Sequence, residues 1–166
     1  MFKAWPKITR VENRRTPIFT EKIDGTNACV IVTADGELFC QSRTRLITPE
    51  DDNFGFAGWA YSNKEFLVGA LGEGYHFGEW WGRGIQRTYG LDERRFSLFN
   101  TRRWGEHNPP PTGLHVVPVL PVSTVEEARA FLVSNGSVAV PGWMRPEGAV
   151  MLDIGADTRF KIIIDK

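Results

Sequence analysis

The apolar positions of this chain fall mostly in short runs bounded by turn residues, the pattern of strands rather than of long helices. Ala28 to Val32 reads ACVIV, and Leu38 to Ser42 follows after Asp35-Gly36, so the pair predicts a hairpin. "YHFGEWWG" (75–82) and "RRFSLFN" (94–100) predict two more strands, and "HNPPPTG" (107–113) is a stiff connector leading into extended His115 to Leu120. Gly148 to Ile154 and Arg159 to Ile164 predict a second hairpin around "GADT". The clearest helix is "STVEEARAFLVSN" (123–135), opened by a Ser123–Glu126 capping box and stopped by Gly136. Asn63 to Leu71 predicts a short helix, "TPEDDNFG" (48–55) a loop, and residues 1–20 an irregular or edge segment broken by Pro6 and Pro17. The expected fold is α+β and largely antiparallel, with flanking helices. No internal repeat or linker divides residues 1–166 into more than one domain.

Composition narrows the partners. Twenty basic and twenty acidic residues cancel, so a global electrostatic grip on nucleic acid is excluded and only local patches remain. The arginines do cluster: Arg14-Arg15, Arg43 and Arg45, Arg83 and Arg87, Arg94-Arg95, Arg102-Arg103. They are either solvated surface charge or the wall of a phosphate-facing groove. Cys29 and Cys40 lack metal-ligand spacing and read as buried thiols; His76, His107 and His115 likewise show no ligand spacing. "MFKAWPKITR" has no signal-peptide core, and no apolar run reaches membrane-spanning length, so the expectation is a soluble, cytoplasmic protein without a membrane partner.

Four charged residues interrupt or flank the apolar strands: Lys22, Glu79, Glu147 and Lys161. Charge at such positions is unfavourable unless paired or functional. Two acids and two bases are either ion pairs or a polar floor between two sheets. A lysine becomes a nucleophile only as the free amine, which near neutral pH needs desolvation or a neighbouring cation. Lys161 is a candidate for that neighbour, and Glu147 for holding a divalent ion that serves as one. Asp24, Glu79 and Glu147 suit magnesium, directly or through its water shell. The aromatic residues around Glu79 offer faces for a nucleobase. Together these suggest nucleotide transfer through a covalent lysyl intermediate.

"EKIDGTN" (21–27) resembles motif I, Lys-x-Asp-Gly, of the covalent nucleotidyltransferases: ATP-dependent DNA and RNA ligases and capping guanylyltransferases. "SRTR" (42–45) is similar to motif Ia, "FGEWWGRGIQ" (77–86) to motif III, "FSLFN" (96–100) to motif IIIa, "RPEGAVM" (145–151) to motif IV and "RFKIII" (159–164) to motif V. Six elements in family order are far more specific than one. The Glu-Lys-x-x-Gly-Thr-Asn form looks most like the phage RNA ligases that seal nicked duplex RNA, although DNA ligases more often carry aspartate at the position of Asp24.

The resemblance implies an ATP-grasp-like core of the DNA/RNA ligase type, in which Lys22 attacks the ATP α-phosphate to form lysyl-AMP. It places Glu21, Ile23 and Asn27 beside Lys22 in the nucleotide site. Arg43 would contact the AMP phosphate or ribose, or orient the accepting strand. Glu79 would hydrogen-bond the ribose and Phe99 would stack on adenine, with Asn100 where the family usually has aspartate. Glu147 would hold Mg2+ or Mn2+, with Asp24 as a second, water-mediated ligand, and Lys161 would hold the α-phosphate. Motif V usually has two lysines; here the pair is Arg159 with Lys161, preferred because both are cations, or Lys161 with Ile163. From the residues alone, Phe99 could equally be core, Arg43 a solvated hairpin arginine, and Asp24-Gly25 only a turn. The implied substrate is nicked or broken RNA, with DNA the alternative. The OB domain that usually follows motif V is not expected within this chain, which reads as a monomeric core whose clamp a partner chain would supply. The competing readings are a minimal DNA ligase, a guanylyltransferase, and a non-catalytic nucleotide- or nucleic-acid-binding module.

Overall fold

The computed structural model describes residues 2–5, 17–153, 155 and 158–164. Its strands are β1 (Ile18–Lys22), β2 (Thr26–Val32), β3 (Leu38–Ser42), β4 (Leu46–Ile47), β5 (Gly74–Gly82), β6 (Arg94–Leu98), β7 (His115–Val116), β8 (Gly148–Asp153) and β9 (Thr158–Ile163). They form a three-stranded sheet in the order β1-β8-β9 and a six-stranded sheet in the order β4-β3-β2-β5-β6-β7. Every pairing is antiparallel except β6 with β7. This is the expected α+β class, with both predicted hairpins in place. Ile18 to Thr20, read as irregular or edge chain, lie in an edge strand; Pro6, Ile154 and part of the "GADT" turn lie outside the described residues.

Strand alternation explains why two sheets form. On one face of the large sheet, Ala28, Val30, Val32, Leu38, Cys40, Trp80, Phe96 and Leu98 pack with Phe56, Ala57 and Ala60 of α1 (Phe56–Ser62) and with Leu67 and Leu71 of α2 (Lys64–Leu71). On one face of the small sheet, Phe19, Ala149 and Ile162 pack with Ala128 and Leu132 of α3 (Val125–Asn135). Each sheet thus buries one face under helix and turns its other face toward its neighbour. Trp80 and Trp81 point to opposite sides, as alternation requires: Trp80 joins the helix-covered core, and Trp81 joins Ile23, Tyr89 and Val117 at the junction of the sheets.

Helix α1 was not anticipated, because the residues before it read as a polar loop. Its starting signal is displaced: Asp52, not the residue next to the helix, accepts from the Ala57 and Gly58 backbone N–H groups at 2.8 Å each. The α3 cap also sits one residue later than expected. The Thr124 hydroxyl accepts from Glu127 N at 3.1 Å, and the Glu127 carboxylate accepts from Ser123 N at 2.9 Å. Gly136, at φ 73°, ends the helix as its sequence position implied.

The chain after β7 stitches the sheets together. Val117 N donates to Leu98 O at 3.0 Å, while Glu21 N donates to Pro118 O at 2.9 Å and Leu120 N to Phe19 O at 2.7 Å. A second tie is the short link from β1 to β2. Gly25 there has no positive φ; its side of the chain lies directly against the Trp80 carbonyl and the Trp81 backbone, and an added Cβ would sit 2.6 Å from Trp81 Cβ. The glycine therefore serves close approach rather than turn geometry. Gly25→Ala is expected to lower stability by roughly 2 kcal/mol or more, the size of overpacking against backbone that cannot yield. Urea denaturation measures this, and a loss within 0.5 kcal/mol, the range of an ordinary surface change, would refute the close-approach reading.

Candidate active site

The two facing sheets enclose a cleft of about 480 Å³, a size that takes a small molecule. The small sheet contributes Thr20, Val150, Leu152 and Arg159; the large sheet contributes Asn27, Cys29, Gln41 and Phe77. Phe99 and Thr101 follow β6, Arg43 comes from the turn after β3, and Val117 comes from the stitching segment. Phe77 and Phe99 on one side and Val150 and Leu152 on the other supply apolar walls suited to a flat ring. Of the residues proposed from sequence, Asn27, Arg43, Phe99, Arg159 and Glu21 line this cleft. Phe77 is the phenylalanine beside Glu79 that the sequence offered as a base face, whereas Thr20 and Val150 were not singled out. Thr20 stands two residues before Lys22, so strand alternation was the available signal.

Lys22 and Glu79 extend these rows by one side chain beyond the cleft-lining set. Lys22 follows Thr20 along β1; Glu79 follows Phe77 along β5 and pairs in register with Asn27. Lys22 Nζ donates to Glu147 Oε2 at 2.9 Å, both partly buried. Glu79 is buried, and Gly25 N donates to its Oε2 at 2.9 Å. Burial pushes the Glu79 carboxyl up to about 7; the Gly25 hydrogen bond and the Lys22 charge act the other way, and Glu147 and Asp24 add to the rise. Lys22, Glu79, Glu147 and Asp24 thus share one electrostatic neighbourhood. Arg159 and Lys161 occupy one face of β9, opposite Leu152 and Val150, and are exposed. Neither makes an ion pair among the described residues. Lys161 is not among the residues lining the cleft.

Three residues of the "EKIDGTN" stretch have other partners than those the resemblance implied. Glu21 is 1% exposed, and its carboxylate is fully engaged: Ser137 Oγ donates at 2.7 Å, Val138 N at 2.8 Å and Ala139 N at 2.9 Å. Its side chain holds the 137–139 turn and is not available to a ligand. Ile23 is core, packed with Trp81, Tyr89 and Val117. Asp24 accepts from Arg87 Nη1 at 2.9 Å, and its N–H donates to Tyr89 Oη at 2.8 Å. Its carboxylate is therefore paired with a cation rather than free for a metal. Among the described residues no group of three His, Cys, Asp or Glu could cage a metal. The donors present suit instead a cation carried mainly by phosphate and water and touching the protein at Glu147, the mode magnesium prefers. Cys29 and Cys40 are buried free thiols, as expected, pushed up to about 11 and about 12 chiefly by burial.

This is the layout of a covalent nucleotidyltransferase core: facing sheets, a lysine-ended strand, and carboxylates from both sheets beside it. The chain belongs to the RNA ligase family, whose model matches residues 15–163. Among solved structures it is similar to a Naegleria gruberi RNA ligase mutant with ATP and Mn (TM-score 0.63, 20% identity, 92% of this chain and 50% of that one). It is also similar to the same ligase with PPi (TM-score 0.59, 22% identity, 92% and 50%), and to a mutant with AMP and Mn (TM-score 0.63, 20% identity, 92% and 51%). The chain therefore spans about half the length of these relatives. No curated protein matches it in sequence. Among the described residues no helix is long and apolar enough to cross a membrane.

The Glu79 carboxyl makes a pH prediction. Its folded value lies above its ordinary one, so between about 4.5 and about 7 the folded protein keeps a proton that the unfolded chain releases. Its contribution is fully present below the lower value and is lost as pH rises through the upper one. Glu79→Gln keeps an acceptor for Gly25 N and removes the titration. Relative to this variant, the parent protein is expected to lose up to about 3 kcal/mol of stability from pH 4.5 to 7.5. Parallel denaturation curves at the two pH values would contradict it.

Proposed function

We propose that this chain is the nucleotidyltransferase core of an ATP-dependent RNA ligase, with Lys22 as the nucleophile. The observation that carries this reading is the position of Lys22: one side chain beyond the cleft-lining Thr20, 2.9 Å from Glu147 and within the electrostatic reach of Glu79. AMP in the cleft would place adenine between Phe99 and Val150, ribose hydroxyls near Glu79 and Asn27, and the α-phosphate beside Lys22, with Arg43 and Arg159 supplying positive charge at the walls.

Lys22 Nζ, having released its ammonium proton to solvent, forms a bond to the α-phosphorus as the bond to pyrophosphate breaks. A polynucleotide 5′-phosphate oxygen then displaces Lys22 and takes the AMP. Attack of a 3′-hydroxyl on that 5′-phosphorus joins the strands and releases AMP. Glu147 is the residue that would hold magnesium or manganese, whose charge offsets that of the triphosphate. The same carboxylate pairs with Lys22, so engaging a cation there would free the lysine from its partner. Lys161, on the cleft-facing side of β9, is proposed as the α-phosphate ligand, with Arg159 as its motif V companion. One similar Naegleria gruberi ligase structure is of a mutant with ATP and Mn and another of a mutant with AMP and Mn, which supports ATP as the donor here.

Intact-mass spectrometry after incubation with ATP and magnesium or manganese should show one added AMP, absent with GTP and absent in Lys22→Ala. AMP-free protein that takes up no adduct under any metal or pH would leave only a binding module. With the adduct in hand, nicked RNA should be sealed in preference to nicked DNA.

A further inference from the structure

A second groove of about 310 Å³ opens beside the nucleotide cleft and shares Phe77, Phe99, Leu152 and Arg159 with it. One wall is Tyr75 and Phe77, successive outward residues of β5, 62% and 52% exposed, of which Tyr75 belongs to this groove and not to the nucleotide cleft. Their rings stack with centroids 6.1 Å apart and planes inclined by 21°. Two large aromatic residues left in solvent and parallel to one another form a ready stacking platform, and such exposure is otherwise unfavourable. The groove is also lined by Arg102, Arg103 and Arg159. Arg103 is anchored on Leu71 O and Ala70 O and lies over Trp104, while Arg102 and Arg159 are exposed and make no ion pair among the described residues. No aspartate or glutamate lines the groove. In a chain whose overall charge is zero, this is a local concentration of uncompensated cations beside bare aromatic faces.

We propose that the second groove is a track for single-stranded RNA, with a base stacked on Tyr75 at the Tyr75–Phe77 platform and the backbone phosphate against Arg102, an exposed arginine that the nucleotide cleft does not share. An apolar protein partner would leave the arginines unmatched, whereas a polyanion with flat bases uses both features. Tyr75 stands four residues from Glu79, roughly 13 Å along the strand, so the track runs past the base end of the nucleotide cleft. It holds the strand away from the reacting phosphate rather than at it. The identity of the ligand rests on the RNA ligase reading, but its binding does not require Lys22 to react.

The test is fluorescence anisotropy of a dye-labelled single-stranded RNA dodecamer with the full chain, in parallel with intact-mass measurement of AMP uptake. Tyr75 and Arg102 do not line the nucleotide cleft, so Tyr75→Ala and Arg102→Ala are expected to keep AMP uptake and thermal stability unchanged. Tyr75→Ala should weaken RNA binding roughly tenfold or more, the size of one lost base stack. Arg102→Ala should weaken it and lower the salt-dependence slope by about 1. Phe66→Ala, on helix α2 behind the sheet, serves as the exposed-aromatic control and should change nothing. The proposal is overturned if RNA binding is undetectable in the parent protein or is unchanged in both variants. Loss of AMP uptake with RNA binding intact would instead strike the Lys22 chemistry and leave the track standing.

Discussion

The close contact of the Asp24–Gly25 peptide with the Trp80–Trp81 backbone is the constraint on which the site depends. Lys22 belongs to the small sheet and Glu79 to the large one, and only two covalent residues, Ile23 and Asp24, separate the lysine from the peptide that Glu79 accepts from. Gly25 allows the backbones to touch, its N–H satisfies the buried Glu79 carboxylate, and Ile23 fills the space beneath with Trp81 and Tyr89. The neighbouring Asp24 then clasps Arg87, fastening the loop after β5 to the same corner. A side chain on Gly25 would push the sheets apart, and with them Lys22 from Glu79. The turn presents the lysine, but it does so by contact rather than by special backbone angles.

Buried acids divide the labour around this corner according to how many donors reach them. Glu21 has three donors and is a structural fastener, joining β1 to the turn after α3. Glu79 has one backbone donor and is held near its titration point by burial. A carboxylate with unfilled acceptor positions at the edge of a cleft can take hydrogen bonds from sugar hydroxyls; a saturated one cannot. Glu147 lies between these cases, partly buried and paired with Lys22. Three glutamates near one lysine therefore do three different things, because local donor geometry sets the role of each.

Much of the fold was legible along the chain. The runs Ala28 to Val32 and Leu38 to Ser42 could pair locally across a short turn, and the β8–β9 hairpin likewise needed only its own alternation. Helix α3 announced itself through its capping residues and its glycine stop. Helix α1 did not, because its N-terminal donors are satisfied by Asp52 from inside a loop, a contact that no single-position propensity encodes. The extended reading of His115 to Leu120 holds as a strand for His115–Val116 and as an isolated bridge at Val119, and it was silent on the use of this stretch as the strap between sheets. In the site, Asn27, Arg43, Phe99 and Arg159 were recognisable from motif position. Phe77 was covered by the reading of the aromatic residues around Glu79 as base faces, whereas Val150 escaped notice because apolar residues in apolar strands look alike until a cleft separates lining from core.

What the sequence by itself determined is the order of chemical types along the strands: a lysine before an Asp-Gly corner, glutamates in aromatic and apolar strands, and the basic residues of the last hairpin. Those types follow from local composition and survive any arrangement of the sheets. Which partner each one takes was decided only in three dimensions. Gly25 reaches Glu79 across 54 positions, Asp24 reaches Arg87 across 63, and Glu21 reaches Ser137 across 116. A hydrogen bond depends on a few tenths of an ångström and on direction, and separations of that length leave both undefined until packing brings the two sheets face to face.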